Sequence, residues 1–508
     1  MPSLATLQGS GVRAELRTII PALTPPAWTS LATGRSPGWH GIFDFFGKDQ
    51  AQGHHIRLLT SRDIGCETLW SMANRHGVRA TVLNFPLTFP APAIDGHIVP
   101  GGWMPWRQLR LGCHPSDLYE KIKVLDGFNP REIAMDMAHE EKALEGCKRE
   151  EFQPWIELHI RREKLWFRVL EFLMREEPSG LTSVLFDGVD KIQHLCWRFL
   201  DPALASRLSE PWEFQVRDSC RNYFREIDRI IGRLVESAGP EATILIASDH
   251  GFGAQVRTFF VNSWLQRQGY LTWVDGGPKA EEGEVLGMAR LGRHSFLLDW
   301  TRTKAYAPMP SGNGIHVVKQ DEQHPGGVPP GEYDAFCERL RQQLLSLHDP
   351  ETGKPLVSQV WRREQVFQGP RLDVAPDLTL VLEDGGLISI LASEQDVMQR
   401  PSPTGAHRPE GVFVACGPGI LRGKTLPAIS ILDVAPLILY SLGLPVPASL
   451  EGRVPEEALE PEAFRSTPVR QEGSQEPKSQ SVSEPTMVLD PEAEAEILKR
   501  LQALGYVE

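Results

Sequence analysis

The sequence holds two Asp and His pairs, each placed directly after a run of apolar residues. In the first pair, His194 follows Asp190 by four positions, after the run at 182–186. If Asp190 opens a helix, both side chains lie on one helix face, where one metal ion can bind an oxygen and an imidazole nitrogen together. The alternative, that Asp190 caps the helix and His194 is a packed polar residue, explains this pair equally well.

The second pair, Asp249 and His250, follows the run at 242–247 and precedes Gly251. A glycine lets the backbone turn sharply, so both side chains can point into one crevice at the end of a strand. Asp-His-Gly is also an ordinary turn composition, so this pair alone is ambiguous. The recurrence of Asp and His at the ends of two neighbouring predicted strands favours a metal site.

A further histidine, His407, lies just before the predicted strand 412–415. A lone histidine is more often a surface or core residue than a metal ligand. Beside the two Asp and His pairs, however, His407 would complete a second set of nitrogen and oxygen ligands. Two divalent ions roughly 4 Å apart can hold the attacking and leaving oxygens of a phosphoryl transfer.

A candidate nucleophile, Thr24, lies near the start of the chain and is followed by Pro25 and Pro26. Binding to a metal ion lowers the pKa of a hydroxyl without a neighbouring base. The two prolines predict a rigid turn and a helix start, where free backbone N–H groups can receive a phosphate oxygen. From the residues alone, a simple helix cap explains Thr24 as well as catalysis does.

The elements that must position these residues alternate between short apolar runs and longer amphipathic stretches. The predicted strands are 80–84, 182–186, 242–247 and 412–415. Between the second and third strands, apolar residues recur every three or four positions up to Gly239 and Pro240, which predicts a helix ending near 236. The pattern predicts a β-α-β unit of parallel strands, whose carboxyl ends carry the candidate ligands.

The predicted organisation is a core interrupted by an insertion. The predicted segments are the first part of a catalytic α/β core (1–261), an insertion or cap subdomain (262–400), the last part of the core (401–455), a disordered linker (456–489) and a C-terminal helix (490–508). The insertion contains a predicted helix at 333–347. Ser, Gln, Glu and Pro between 466 and 485 predict disorder, and the apolar face of 491–504 predicts a docking helix.

Composition excludes several classes of protein. A net charge of -13 argues against a partner that is a nucleic acid polymer, because such binding needs clustered Lys and Arg. Seven scattered cysteines without a CxxC pair are typical of thiols in a reducing compartment. No apolar run is suited to spanning a bilayer, and residues 1–11 lack the pattern of a signal peptide, so we expect a cytoplasmic protein. The sequence does not indicate an oligomeric state.

Taken together, these segments resemble the type I phosphodiesterase and nucleotide pyrophosphatase family of the alkaline phosphatase superfamily. The matching motifs, in the family's order and spacing, are Thr24, Thr33-Gly34, Pro37, His40-Gly41, Asp190 with His194, Asp249-His250-Gly251 and His407. The resemblance extends from residue 20 to about 450. It implies an α/β fold with a mostly parallel sheet, helices on both faces and an inserted cap subdomain.

The resemblance also implies a metal-dependent phosphohydrolase that acts on a small phosphate ester or pyrophosphate. Thr24 is the implied nucleophile, and it forms a phospho-threonine intermediate that metal-activated water later hydrolyses. Two divalent metal ions are implied, with zinc preferred and manganese the alternative. The implied ligands are Asp190, His194 and His407 for one ion, and Asp249, His250 and Thr24 for the other. His40 is implied to be a structural member of its motif.

Two departures from the family pattern bear on activity. Family members carry an Asp-Gly pair at the end of a first strand upstream of the nucleophile, and that Asp binds the metal beside it. The first nine residues here resemble the helix that follows this strand, so we expect the first strand to be missing. The second departure is Phe45, where nucleotide pyrophosphatases place an asparagine that donates to the phosphoryl group.

These departures leave other functions open. A non-catalytic or impaired binding protein of the same fold is the main alternative, because the upstream Asp ligand is absent. A phosphomutase or phosphomonoesterase is a minor alternative, and a phosphomutase needs a serine in place of Thr24. A sulfatase needs a Cys or Ser nucleophile in a Cys-x-Pro-x-Arg setting, which Thr24 and the residues up to Trp28 do not provide.

Overall fold

A computed structural model of the chain describes residues 1–48, 56–101, 106–134, 147–274 and 294–473. The helices are Pro2–Ser10, Thr24–Thr33, Pro37–His40, Leu69–Arg75, Leu109–Gly112, Leu118–Ile122, Pro130–Ile133, Phe152–Glu176, Gly188–Leu200, Pro202–Ala205, Pro211–Ala238, Val261–Arg267, Tyr333–Leu345, Arg363–Val366, Val434–Ser441 and Pro461–Ser466. None of these helices combines the length and the apolar character needed to cross a membrane.

The strands in the same part of the chain are from two to twelve residues long. They are β1 (Val12–Arg17), β2 (Phe46–Lys48), β3 (Ile56–Leu58), β4 (Ala80–Leu83), β5 (Gly96–Val99), β6 (Leu181–Val184), β7 (Ile244–Ala247), β8 (Gly251–Phe260), β9 (Ala305–Tyr306), β10 (Gly314–Val317), β11 (Val357–Arg362), β12 (Leu378–Leu382), β13 (Ile388–Ser389), β14 (Val397–Arg408), β15 (Glu410–Cys416), β16 (Lys424–Thr425), β17 (Ile429–Ser430), β18 (Val446–Pro447) and β19 (Gln471–Glu472).

The core strands form two hydrogen-bonded groups. In one, β4 pairs in parallel with both β5 and β6. In the other, β15 lies between β1 and β7 and runs antiparallel to both, while β1 pairs in parallel with β16 and β17. Among the described residues, β6 and β7 do not pair with each other, so the two strands of the predicted β-α-β unit lie in different groups. The predicted α/β class is confirmed, with a mixed rather than a uniformly parallel strand order.

The predicted elements are close to the observed ones, with three differences. The helix expected to end near 236 is Pro211–Ala238, so it ends two residues later than predicted. β15 is antiparallel to β7 because β7 continues into β8 and β14 continues into β15 through Pro409, while β8 and β14 pair antiparallel. β1 was not predicted, although its buried Val12 and Leu16 alternate with exposed charged residues. The expected absence of a first strand stays a prediction.

One buried cluster of side chains joins the two strand groups. It includes Val82 and Leu181 from the parallel group and Phe413 from β15. Ala27 and Leu31 of the helix Thr24–Thr33 belong to the same cluster. Burial of this helix against both groups fixes the position of its first residue relative to the carboxyl ends of β6 and β7.

The segment predicted as an insertion has its own buried cluster. Its members extend from Phe259 to Leu391 and include Tyr306 and Phe336. The predicted helix at 333–347 is present as Tyr333–Leu345. β8 and β14 pair antiparallel over most of their length and connect this region to the core. The division into separate domains stays a prediction.

The predicted disordered linker contains ordered structure in its first part, which corrects that expectation. Pro461–Ser466 is helical, and β19 pairs in parallel with β18. The Glu472 carboxylate binds Arg75 at 2.5 and 2.6 Å, and this ion pair stabilises a segment whose composition alone predicts disorder. The remainder of the linker and the predicted C-terminal helix lie outside the described residues.

Two adjacent residues of β15 test this placement of the core. Phe413 is fully buried, whereas Val412 is 48% exposed. Phe413→Ala should lower the free energy of unfolding by about 3–5 kcal/mol, because a large buried side chain is lost and a cavity remains. Val412→Ala should lower it by no more than about 1 kcal/mol. Chemical denaturation of both variants gives the comparison, and equal losses would contradict the assigned faces of β15.

Candidate active site

All six predicted site residues lie near one another, although they come from four separate segments. Thr24 begins the helix Thr24–Thr33, Asp190 and His194 lie on Gly188–Leu200, Asp249 and His250 lie between β7 and β8, and His407 lies in β14. We call Gly188–Leu200 the site helix. Asp190 is its third residue, and His407 lies just before β15, as the sequence predicted, near the end of a further strand, β14.

The Asp190 carboxylate is the centre of the group. Its Oδ1 lies 3.4 Å from Nε2 of His407, 3.5 Å from Nε2 of His194 and 3.7 Å from Nε2 of His250. The Nε2 atoms of His194 and His407 are 2.8 Å apart, and the imidazole rings of His250 and His407 stack with centroids 3.5 Å apart. Asp249 Oδ2 extends the group, at 3.1 Å from His250 Nε2.

The donor atoms of this group fit a divalent metal ion. One ligand atom each from Asp190, His250 and His407 lies within 4.8 Å of the others. The buried atoms Asp190 Oδ1 and Asp249 Oδ2 accept no hydrogen bond, which is unfavourable for a carboxylate unless a cation binds there. Carboxylate oxygen and imidazole nitrogen are ligands that zinc takes in proteins. This three-residue group combines residues that the resemblance assigned to different ions.

Backbone carbonyls fix the orientation of all three imidazole rings. The Nδ1 contacts are His194 with Gly405 O at 3.0 Å, His407 with Ala22 O at 2.8 Å and His250 with Gly251 O at 3.2 Å. A carbonyl can only accept, so each Nδ1 carries a proton, and a ring that is neutral presents a lone pair at Nε2. The Nε2 atoms of His194 and His407 are 2.8 Å apart, so two lone pairs there need a cation or a shared proton between them. Such carbonyl contacts are typical of metal-binding histidines.

The charges of the group shift the pKa values of its members. Burial by itself raises the pKa of Asp190, but the charges of His194 and His407 outweigh it and hold the pKa well below its usual range. Burial, aided by the charge of His250, lowers the pKa of His407 to about 3. Burial also acts to lower the pKa of His250, yet the Asp249 carboxylate raises it overall. The site therefore favours an ionised carboxylate beside neutral His407.

Thr24 lies next to this group, with its Oγ1 3.3 Å from His250 Nε2. The sequence predicted free backbone N–H groups at the start of its helix, and the structure leaves few donors there. Pro25 and Pro26 have no N–H, and Ala27 N–H donates to Leu23 O at 3.0 Å. The Thr24 N–H is therefore the one backbone donor that the first helical turn can direct at an anion.

Phe252 packs against all three histidine rings and was not identified from the sequence. Its ring centroid lies 4.9 Å from that of His194, 5.3 Å from that of His407 and 5.5 Å from that of His250. Trp197 of the site helix stacks on it from further out, at 6.0 Å. The available signal was an aromatic residue between two glycines directly after the Asp and His pair.

The segment after the nucleophile helix is fixed to the insertion through Asp44. The Ser311 hydroxyl donates to both Asp44 oxygens, at 2.7 and 2.9 Å, and the N–H of Phe45 donates at 2.6 Å. Burial raises the pKa of Asp44 to about 6, against the opposing effect of these hydrogen bonds. Phe45, the position that departs from the family pattern, is therefore held by a contact between core and insertion.

His40 lies outside the group, in a fully buried position. Its Nε2 contacts Ser30 Oγ at 3.0 Å, and its Nδ1 accepts from the N–H of Ile42 at 3.1 Å. A backbone N–H only donates, so Nδ1 is unprotonated and Nε2–H donates to Ser30. His40 therefore links the helix Thr24–Thr33 to the segment that follows it.

Comparison with known proteins gives one family. A family model described as type I phosphodiesterase / nucleotide pyrophosphatase matches residues 1–409. No curated protein matches the chain. Among solved structures, murine ectonucleotide pyrophosphatase / phosphodiesterase 5 is 14% identical, with 90% of this chain and 94% of that chain covered and a TM-score of 0.46. Phosphonoacetate hydrolase from Sinorhizobium meliloti is 16% identical, with 87% and 89% covered and a TM-score of 0.48.

The buried His40 gives a prediction about pH. Burial, aided by the charge of Arg35, lowers its pKa from 6.5 to about 3. Below pH 6.5 the unfolded chain therefore binds a proton that the folded chain refuses, so stability falls as the pH is lowered towards 3. Between pH 7 and pH 5, His40 should account for a loss of about 2 kcal/mol.

The matched variant is His40→Gln, which keeps a donor for Ser30 but does not titrate. Denaturation curves at several pH values should show the advantage of the wild type over this variant shrinking by about 2 kcal/mol from pH 7 to pH 5. Parallel pH profiles for the two proteins would contradict the assignment of a neutral, buried His40.

Proposed function

We propose that this chain, which belongs to the type I phosphodiesterase / nucleotide pyrophosphatase family and is a hydrolase of that type, cleaves a small phosphate ester or pyrophosphate by attack of Thr24. The family implies catalysis that depends on divalent metal ions. We propose two ions, with zinc preferred over manganese. The proposed ligands are Asp190, His194, His407, Asp249, His250 and Thr24.

One observation carries the proposal. The Thr24 hydroxyl lies 3.3 Å from His250 Nε2, and His250 belongs with Asp190 and His407 to the group whose ligand atoms lie within 4.8 Å of one another. A hydroxyl in that position can contact an ion held by the same group. Since a free threonine hydroxyl is a weak nucleophile, this proximity is what makes attack on phosphorus feasible.

The proposed reaction has two displacements at phosphorus. Thr24 Oγ loses its proton to solvent and forms a bond to phosphorus while the bond to the leaving oxygen breaks, and the leaving oxygen takes a proton from solvent. Water then attacks the phosphorus of the phospho-threonine, which breaks the ester bond and restores the Thr24 hydroxyl. When bound, the divalent ions lower the pKa of the hydroxyl and neutralise charge on the phosphoryl oxygens.

The protein's own contribution is orientation. The carbonyl partners of His194, His250 and His407 keep the three Nε2 atoms directed at Asp190. Pro25 and Pro26 have no N–H, but Thr24 has one, and it can donate to a phosphoryl oxygen during attack. Phe45 offers no such donor from its side chain, which supports a substrate different from the nucleotides of the pyrophosphatases.

Removal of metal should abolish activity. Treatment with a chelator should lower turnover of a chromogenic phosphodiester by at least about 100-fold, and zinc or manganese should restore it. A chromogenic monoester assayed in parallel separates the diesterase from a phosphomonoesterase. Tight binding of metal without turnover of either substrate would instead support the non-catalytic alternative.

Substitution of Thr24 tests the nucleophile. Thr24→Ala should lower turnover by at least about 1000-fold while bound metal, measured by elemental analysis, stays near the wild-type amount. Thr24→Ser is the matched control, because it retains a hydroxyl at the same position and should keep measurable activity. Undiminished turnover by Thr24→Ala would contradict the assignment.

A further inference from the structure

We propose that Glu163 and Tyr223 are positioning residues for this site, because they fix the start of the site helix and so the placement of Asp190 and His194. We call Glu163, Tyr223 and the N–H of Gly188 the helix-start clamp. The functional meaning of the clamp rests on the proposed function, since that gives Asp190 and His194 their role. The contacts that form it do not depend on that function.

The clamp joins three helices at one oxygen atom. Glu163, on the helix Phe152–Glu176, is 1% exposed, and Tyr223, on Pro211–Ala238, is fully buried. Glu163 Oε1 accepts from the N–H of Gly188 at 2.8 Å and from the Tyr223 hydroxyl at 2.9 Å. Gly188 is the first residue of the site helix, two positions before Asp190. The clamp therefore acts directly on the turn that carries the central carboxylate.

The space around Gly188 shows how closely the clamp fits. A Cβ at position 188 would lie 2.4 Å from Glu163 Oε1 and 2.7 Å from the Tyr223 hydroxyl, both too short for any side chain. The glycine thus leaves room for the close approach of the two side chains. A larger residue would displace either the clamp or the start of the helix.

The clamp supplies a cap that the site helix does not provide for itself. The first N–H groups of a helix have no partner within it, and an Asp at the preceding position normally accepts from them. Asp187 holds that position but makes no capping hydrogen bond. Its carboxylate binds Lys191 Nζ at 2.8 Å instead. Glu163, on a different helix, accepts from the N–H of Gly188 instead, so a tertiary contact fixes the start of the site helix.

The electrostatic setting explains why a glutamate can fill this buried position. Burial, reinforced by the charge of Asp187, raises the pKa of Glu163 to about 8, against the opposing hydrogen bonds of Tyr223 and Gly188 and the charge of Arg162. At neutral pH the carboxyl is therefore mostly protonated, and Oε1 acts as an uncharged acceptor. A glutamine offers the same acceptor in the same place, which makes Glu163→Gln the conservative variant.

A second carboxylate provides a matched control. Asp228, on the same helix as Tyr223, is 3% exposed and accepts from the N–H groups of Ser3 and Leu4 at 3.0 Å each. It thus fixes the start of the helix Pro2–Ser10, which carries none of the candidate site residues. Asp228→Ala removes a buried helix-start contact of the same kind without touching the site helix.

The experiment compares Glu163→Ala, Tyr223→Phe, Glu163→Gln and Asp228→Ala with the wild type. Titration with Co²⁺, followed by its visible absorption, measures metal affinity. Hydrogen exchange of the metal-free proteins, read on a peptide covering 188–196, measures the stability of the helix start. Thermal denaturation records the general loss of stability in each variant.

The clamp predicts a specific pattern. Glu163→Ala should weaken Co²⁺ binding by about tenfold or more and speed exchange in 188–196 by about fivefold. Tyr223→Phe removes only one hydroxyl, so it also serves if Glu163→Ala does not fold. It should weaken Co²⁺ binding and speed exchange in 188–196 by smaller factors. Glu163→Gln should restore both to within about threefold of wild type. Asp228→Ala should lower the melting temperature and leave Co²⁺ affinity and exchange in 188–196 unchanged.

Three results would overturn the clamp. The first is Co²⁺ affinity and exchange rates at the wild-type level in both Glu163→Ala and Tyr223→Phe. The others are a loss in Glu163→Gln as large as in Glu163→Ala, and a loss of Co²⁺ affinity in Asp228→Ala equal to that in Glu163→Ala. A wild-type protein that neither binds Co²⁺ nor turns over a phosphoester would contradict the proposed function. In that case the exchange data on the metal-free proteins still decide for or against the clamp, so the two failures are distinguishable.

Discussion

A carboxylate oxygen buried among imidazole nitrogens is stable only if positive charge lies among them, and Asp190 has one oxygen in this situation. Its Oδ1 has three Nε2 atoms at 3.4–3.7 Å and accepts no hydrogen bond. The carbonyl partners of the rings accept at Nδ1, so the Nε2 side of each ring faces Asp190, where a neutral ring presents a lone pair. Much of the surrounding structure maintains this arrangement, from the cap of the site helix to the strand pairing of β8 with β14.

The four segments that meet at Asp190 are held by different kinds of contact. Apolar burial positions the helix of Thr24 against both strand groups. Antiparallel pairing of Phe252 with His407 brings the link after β7 next to β14, and the Phe252 ring then packs against all three imidazoles. Hydrogen bonds to Glu163 hold the site helix.

The sequence alone was sufficient to predict the features that depend on residues close together in the chain. Apolar runs located β4, β6, β7 and β15 to within a few residues, and the Asp and His pairs were found because they directly follow β6 and β7. It was not sufficient for pairing direction, which depends on distant partners: β15 is antiparallel to both of its neighbours. His407 lies just before β15 as expected, but β14, which contains it, was not predicted, because Pro401 and Pro403 are unfavourable in a strand. Glu163 and Tyr223 meet Gly188 across long stretches of chain, which no local pattern reveals.

The most direct test of this account is anomalous diffraction from crystals grown with zinc or manganese. We expect an ion within about 2.0–2.2 Å of an Asp190 oxygen and of a histidine Nε2 in the same group, with the Thr24 hydroxyl facing the metal centre. Ions bound only at other residues, with Asp190 and the three histidines left without metal, would contradict the central claim that this group is a metal centre.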